Sequence, residues 1–531
     1  MLTRRTLLAA GAAAAAEPLV PREGVAATPQ GIVVMAKQID DIVSFDPAQS
    51  YEFTDNEVDG NLYRKLVVPD PRDASAIAPD LATHWAVSAD GRRLTFHLRK
   101  DGRFASGQPV TAGDAEFSLH RVVTLNLTPG FIITQFGFTK DNVAELIRAT
   151  DPHTLVMQLP EAAATSFVLH CLSANVGGIV EKAAALAHQE NGDLGNHWLS
   201  SHSAGAGAYQ LTSWAANDHV IVDANPHSGI PTAEKRIVIR HVKDPATQLL
   251  MLRRGDADIA RDLTSDLLKS IAGDAQFHSV SAPQLTSMYV AANQDVPALA
   301  KPEVHQAIKW AIGYEAIARN ITPGTWAVDQ SFLPAGLLGA LTTNPFHKDT
   351  AKAKGLMAQA GYPNGFSCTM DYVAAHPYSD IAEALQADLG AIGIKVSLLP
   401  GTQKQVITKM RARKHQLILL YWGSDYFDPN SNAQAFCADP NDGNDSPLKI
   451  IAWRCHFQNK QLTAEAFAAG RELDTAKRVA LYEKMQRQFW DTAPIAFMLQ
   501  KNAVAVLRRN VSGFVMGAES DFTRYNEIRK T

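Results

Sequence analysis

Apolar positions along this chain repeat with two periods, and the period switches many times. "GIVVMAKQ" (31–38) is a dense apolar run that predicts a strand. From Asp55 to Leu66 the apolar residues are Val58, Leu62 and Leu66, the spacing of an amphipathic helix. "HWAVSADGRRLTFHLR" (84–99) alternates about Asp90-Gly91, a dipeptide favoured in tight turns, and predicts a hairpin. Thr111 then offers an N-cap for a helix over "GDAEFSLHRVV", with Asp114 in its first turn.

Further strands are predicted at "DPHTLVMQLP", "AYQLTSW", "HVIVDANP" and "KRIVIRHV", and a new β segment opens near residue 287 at "SMYVAANQ". Helices are predicted from Ala246 to near Gly255, at "PEVHQAIKWAI", and at "TAKAKGLMAQAGY" with Gly361 as its stop. "SDIAEALQADLGAIGIKVSLLP" reads as helix, glycine break and strand. "AKRVALYEKMQRQFWDTAP" predicts a helix, and "PIAFMLQKNAVAVLRRNVSGF" a pair of strands. Helices and strands interleave throughout, which predicts an α/β architecture.

The 531 residues exceed what one core holds, so at least two lobes are expected. A hydrophobic share of 46% with 20% charged residues fits a soluble globular chain. Fifty Lys+Arg against 54 Asp+Glu, with no long basic run, gives no footprint for nucleic acid.

The N-terminus changes the picture more. Arg4-Arg5 precede a short apolar stretch from Leu7 to Ala16, and Val25 and Ala27 are small residues placed for cleavage before Thr28. Residues 1–27 therefore read as an export signal, too short in its apolar part to span about 30 Å of hydrocarbon. "TRRTLL" resembles a twin-arginine signal; a chance Arg-Arg in a general secretory signal is the alternative. Export leads to an oxidising compartment. In that setting Cys437 and Cys455, 18 residues apart around a polar loop, are expected to form a disulfide worth about 3 kcal/mol. Cys171 and Cys368 are expected to stay free.

Candidate chemistry centres on "YWGSDYFDPN" (421–430). The apolar run "HQLILLYW" (415–422) breaks into Gly423, Asp425 and Pro429. That arrangement suits a small aromatic pocket with one anionic anchor, and equally an ordinary strand-to-turn transition. No hydrolase, metalloprotease or phosphate-loop motif occurs, His197 and His202 miss the spacing of a helical metal pair, and neither metal nor cofactor is expected.

The block "APDLATHWAVSADGRRLTFHLRKDGRFASGQPVTAGDAEFSLHRV", with "GAGAYQL", "LRRGDADIA", "AIKWAIGYEAIA", "AKAKGLMAQAGYPNGF", "LQADLGAIGIKV" and "YWGSDYFDP", resembles the extracellular solute-binding proteins of the peptide/nickel ABC-import family, family five. The resemblance implies a two-lobed periplasmic-binding-protein fold, hinged on two crossing strands, with an extra subdomain in the first lobe. Residues 31–70, 195–285 and 495–531 would form lobe I, 71–194 the subdomain and 286–494 lobe II. Phe96, Leu98 and Phe104 are then core. The implied function is periplasmic capture of a small peptide or other amine-bearing solute by a monomer, for delivery to an inner-membrane ABC permease.

The resemblance also implies site residues. Asp425 falls where peptide-binding members face the ligand's α-amino group. Trp422 and Tyr426 would wall the pocket, Trp326 would add to it, and Tyr51 and Phe53 would face the cleft from lobe I. Asp428-Pro429 reads as a turn lock. Many dipeptide binders carry an arginine just before the "IAEALQADL" helix. Here "DYVAAHPYSD" has His376 and no Arg or Lys, and a neutral imidazole is a poor substitute for a bidentate guanidinium. That departure keeps a non-peptide cargo open: a nickel chelate, haem or an opine.

Overall fold

The computed structural model of the chain describes residues 28–70, 73–446 and 448–531; the export signal read over 1–27 lies outside them. The architecture is α/β, organised on an 11-stranded sheet. Along it lie Ile394–Gly401, Phe366–Val373, Leu417–Gly423, Phe277–Ala292, Ile495–Arg508, Ile259–Ala260, Ile32–Lys37, Arg236–His241, His219–Ala224 and Tyr209–Ala215. Trp326–Val328 pairs with Ile495–Arg508 off this path.

The two long central strands join the halves. Phe277–Pro283 pair antiparallel with Arg508–Asn502, and Ser287–Ala291 with Gln500–Ile495. The register breaks between Pro283 and Ser287, where proline has no N–H for the ladder. Burial changes at the same place: alternate residues are covered from Phe277 to Gln284, and every residue from Leu285 to Ala292 is buried. The second half is thus covered on both faces. Leu285, Tyr289 and Ala291 face one core, and Met288, Val290 and Ala292 the other.

These strands correct the sequence reading. "PIAFMLQKNAVAVLRR" is one 14-residue strand, not a pair, and the segment expected to begin near 287 starts at Phe277. The helix expected through Leu66 ends at Leu62. Leu66 remains buried but lies in the bend just before strand Val67–Asp70.

Other readings hold. Asp90-Gly91 turns the hairpin of Ala82–Val87 and Arg93–Leu98, with Gly91 at φ +70°. The Asp114 carboxylate accepts from Thr111 N at 2.9 Å and Oγ1 at 2.7 Å, closing the start of helix Ala112–Leu125. Phe96, Leu98 and Phe104 are buried in a core running mainly from Ala48 to Ile179, built on the four-stranded sheet of Ala82–Val87, Arg93–Leu98, Thr154–Gln158 and Ile147–Asp151.

The expected Cys437–Cys455 bridge is not formed: all four cysteines are buried thiols. Another clasp holds the loop. Arg413 pairs with Asp442, donates from Nη1 to Asp442 O at 2.7 Å and stacks 4.2 Å over Trp453. Trp453 Nε1 donates to Gly443 O at 2.9 Å. Cys455 Sγ instead lies 3.9 Å from His415 Nε2, and burial pushes the Cys455 thiol up to about 12.

Candidate functional site

Strand Leu417–Gly423 carries "LILLYWG" from full burial at Leu417 to half-burial at Tyr421. At its end the Phe53 ring lies against Gly423; a Cβ there would meet Phe53 Cζ at 3.0 Å, so glycine makes the approach possible. Phe53 is 43% exposed, and its ring centroid is 6.4 Å from that of Tyr421, which lies 5.7 Å from Tyr378.

The loop that follows is pinned by its own polar groups. Ser424 N donates to Leu285 O at 3.0 Å, and Asp425 N to Ser431 Oγ at 2.9 Å. Asp428 accepts from Asn430 N at 2.9 Å, capping helix Pro429–Cys437. Its carboxylate also takes two bonds from Arg478, at 2.8 and 2.5 Å, with both side chains buried. Asp428-Pro429 is therefore the structural lock expected of it. This fixed frame leaves Asp425 half-buried at the mouth of the strand.

Tyr51 donates its hydroxyl hydrogen to the Asp425 carboxylate. Tyr51 packs edge-on against Phe131, with centroids 6.2 Å apart. Burial pushes the Asp425 carboxyl up to about 6, against the opposing pull of the Tyr51 bond, the Arg454 charge and the Ser431 bond. Burial and the Asp425 charge push the Tyr51 phenol well above its usual range, so it stays a donor. Among the described residues no cation forms an ion pair with Asp425.

The expected site residues thus divide. Tyr51, Phe53 and Asp425 come together from segments far apart in sequence. Tyr426 is buried beside Phe167, centroids 5.6 Å apart, in the core of the first 180 residues. Trp422 packs on Phe436 at 5.8 Å, and its Nε1 is buried with no hydrogen-bond partner. Trp326 is buried in the opposite core of the second half. His376 is exposed and bonds to Asp380 at 2.7 Å, at the start of helix Tyr378–Gly390. Sequence reasoning missed Arg454, the charge beside Asp425 and Tyr51. It ends a four-residue helix within a polar loop, and nothing local marks it.

Residues 76–444 match the profile of the bacterial extracellular solute-binding proteins, family 5 Middle. The chain belongs to this family. The family-5 protein is 26% identical over 496 residues to the probable D,D-dipeptide-binding periplasmic protein DdpA of Escherichia coli (strain K12), covering 92% of each chain. Its fold matches the periplasmic binding protein DppA of Helicobacter pylori, solved with the peptide STSA, at TM-score 0.79 and 23% identity over 94% of this chain and 98% of that one. It also matches NikZ of Campylobacter jejuni, solved with Ni(L-His), at TM-score 0.77 and 20% identity over 95% and 100% of the two chains. The fold is therefore the two-lobed one of this family, and the protein is a solute-binding protein.

Proposed function

We propose that this protein captures a short peptide or a related amine-bearing solute between its lobes and hands it to an ABC permease. The observation that carries this reading is Asp425: a carboxylate that accepts from the Tyr51 hydroxyl, feels the Arg454 charge, and forms no ion pair among the described residues. A ligand ammonium would pair with it through charge-assisted hydrogen bonds. Phe53, Tyr421 and Tyr378 give the neighbouring surface an aromatic character suited to apolar side chains. The name of DdpA and the peptide bound to the H. pylori protein support the same cargo class.

In this reading residues 31–70, 195–285 and 495–531 form the first lobe, 71–194 its extra subdomain and 286–494 the second lobe. The protein acts as a periplasmic monomer and a carrier without catalysis. Residues 1–27 direct export through the twin-arginine route. N-terminal sequencing of the periplasmic product should then begin at or near Thr28, and Arg4→Lys with Arg5→Lys should block export.

A second reading keeps the fold and changes the cargo to a metal chelate or an opine. The absence of Arg and Lys from 371–380 favours it. Mass spectrometry of solute released from purified protein by denaturation separates the two. A peptide mass supports the first; a chelate or sugar–amine conjugate replaces it with the second.

A further inference from the structure

Helix Phe53–Leu62 carries two acids on one face. Asp55 and Asp59 stand at the i, i+4 spacing that makes side chains neighbours on a helix. Neither has exposed surface, and each leaves its Oδ1 without a hydrogen-bond partner. Val43 N donates to Asp55 Oδ2 at 3.3 Å, and Asn175 Nδ2 donates to Asp59 Oδ2 at 3.2 Å. Among the described residues no cationic side chain forms an ion pair with either acid. The charges that act on them belong to further acids, Asp41, Glu52 and Asp46. Arg121 brings no relief, because it gives both its bonds to Asp46, at 2.6 and 2.7 Å.

A third unpaired oxygen comes from a distant segment. Asn175 opens the turn Asn175–Gly177 and is only 5% exposed. Its amide reaches into the acid pair through Nδ2, which also donates to Asn56 Oδ1 at 2.9 Å, and its Oδ1 is buried without a partner. Ser50 Oγ donates to the same Asn56 Oδ1 at 3.2 Å, and the Ser50 hydroxyl acts on both carboxylates. Ser50 is buried as well. The cluster lies at a seam between two cores. Val58 and Leu62 of the helix pack with Val33 and Ile237, whereas Ala174 and Val176, on either side of Asn175, pack into the core of the four-stranded sheet. Buried oxygens are normally satisfied, and buried carboxylates without a counter-charge are costly. One cation would answer both.

We infer that Asp55, Asp59 and Asn175, together with Ser50, form a binding site for a divalent cation of the calcium class, which clamps helix Phe53–Leu62 to the turn at Asn175. The donor set is hard oxygen throughout, and two carboxylates balance a double charge. Calcium accepts amide and hydroxyl oxygens in irregular geometry, whereas magnesium demands an octahedron and keeps several waters, for which a buried cluster is poorly suited. The cation would compete with the protons that burial draws to both acids. Ser50 and Asp55 flank Tyr51 and Phe53, so the clamp underlies the segment that delivers the Tyr51 hydroxyl to Asp425.

The test strips purified protein with chelator at pH 7, then titrates it calorimetrically with CaCl2, MgCl2 and NaCl, with thermal melts in each salt. Calcium should bind at one site per chain, and magnesium and sodium more weakly. At a hundredfold excess over its Kd, calcium should raise the melting temperature by about 2 °C, given the unfolding entropy of a chain this long. Asp59→Asn should weaken calcium binding by at least about 30-fold, the low end for breaking a buried charge pair. Asn175→Ala leaves both charges and should weaken it by about tenfold, as for one lost contact to a charge. Asp425→Asn should bind calcium as wild type does. Wild type that gives neither heat nor a melting shift with calcium overturns the site and leaves protons alone to neutralise the acids. Loss of calcium binding in Asp425→Asn places the ion in the cleft and also overturns it. So does unchanged calcium affinity in Asp59→Asn or, where that variant fails to fold, in Asn175→Ala.

Discussion

Tyr51 and Asp425 lie 374 residues apart in sequence and are joined by a hydrogen bond from phenol to carboxylate. The first sits just before helix Phe53–Leu62, and the second just after strand Leu417–Gly423. The contact therefore brings the two halves of the chain together at the carboxylate that would anchor an ammonium.

If that carboxylate anchors the solute's ammonium, binding depends on pH. Its pKa is pushed up to about 6, chiefly by burial, so below pH 6 the unliganded site is mostly protonated and lacks the charge an ammonium needs. Affinity for an amine-bearing solute should be about tenfold weaker at pH 5 than at pH 7, the change in ionised fraction expected of a single group. Asp425→Asn should show no such change. Titrations at the two pH values check this, and equal pH dependence in wild type and variant would contradict it.

A second buried acid makes the opposite contribution to folding from a salt-bridged one. Asp55 is fully buried, accepts from Val43 N at 3.3 Å and leaves Oδ1 unpartnered. Burial raises its pKa from 3.8 to about 7. Between those values the native state holds a proton that the unfolded chain has lost, so this group's contribution to stability falls as pH rises. Asp55→Asn keeps an acceptor for Val43 and removes the charge. The variant should gain on wild type by up to about 4 kcal/mol between pH 4 and pH 8, at 1.36 kcal/mol per pKa unit. Urea midpoints at pH 4, 6 and 8 decide it; parallel profiles would count against the buried acid.

The cysteines should behave as sealed thiols. Burial pushes Cys368 and Cys455 up to about 12, and Cys171 and Cys437 well above their usual range. Thiolate is the reactive form, so Ellman's reagent should release almost no colour from folded protein at pH 8. Denaturant should expose four thiols. Two after denaturation would mean a disulfide and contradict the structure.

Local chemistry was legible and distant chemistry was not. The hairpin at Asp90-Gly91 and the cap at Thr111 are written in adjacent residues, and both form as read. Strand Ile495–Arg508 was split because Gln500, Lys501 and Asn502 interrupt its apolar run; in the fold they lie where pairing with Phe277–Ala292 changes register. The expected disulfide failed for a similar reason. Its clasp comes from Arg413, Asp442 and Trp453, whose meeting no spacing rule announces. Within the site, Asp425 stands out at a strand end. Arg454, whose charge acts on Asp425, comes from a separate loop segment, and no spacing rule brings the two together.

Closure should pivot where the long strands change register. The break between Pro283 and Ser287 interrupts the ladder that links the halves, and a few such residues suffice for a hinge. Small-angle scattering should show a smaller radius of gyration with cargo than without it. An unchanged radius at saturating solute would rule out closure as the mode of capture.

The most direct test of the central claim is calorimetric titration of wild type and Asp425→Asn, at pH 7, with the peptide Ser-Thr-Ser-Ala. The substitution keeps the shape and removes the charge. Breaking one half of a buried charge pair costs about 2–5 kcal/mol, so affinity should fall roughly 30- to 4,000-fold while the unliganded melting temperature is retained. A loss of less than about threefold would make Asp425 a turn residue and remove the ammonium anchor from this account.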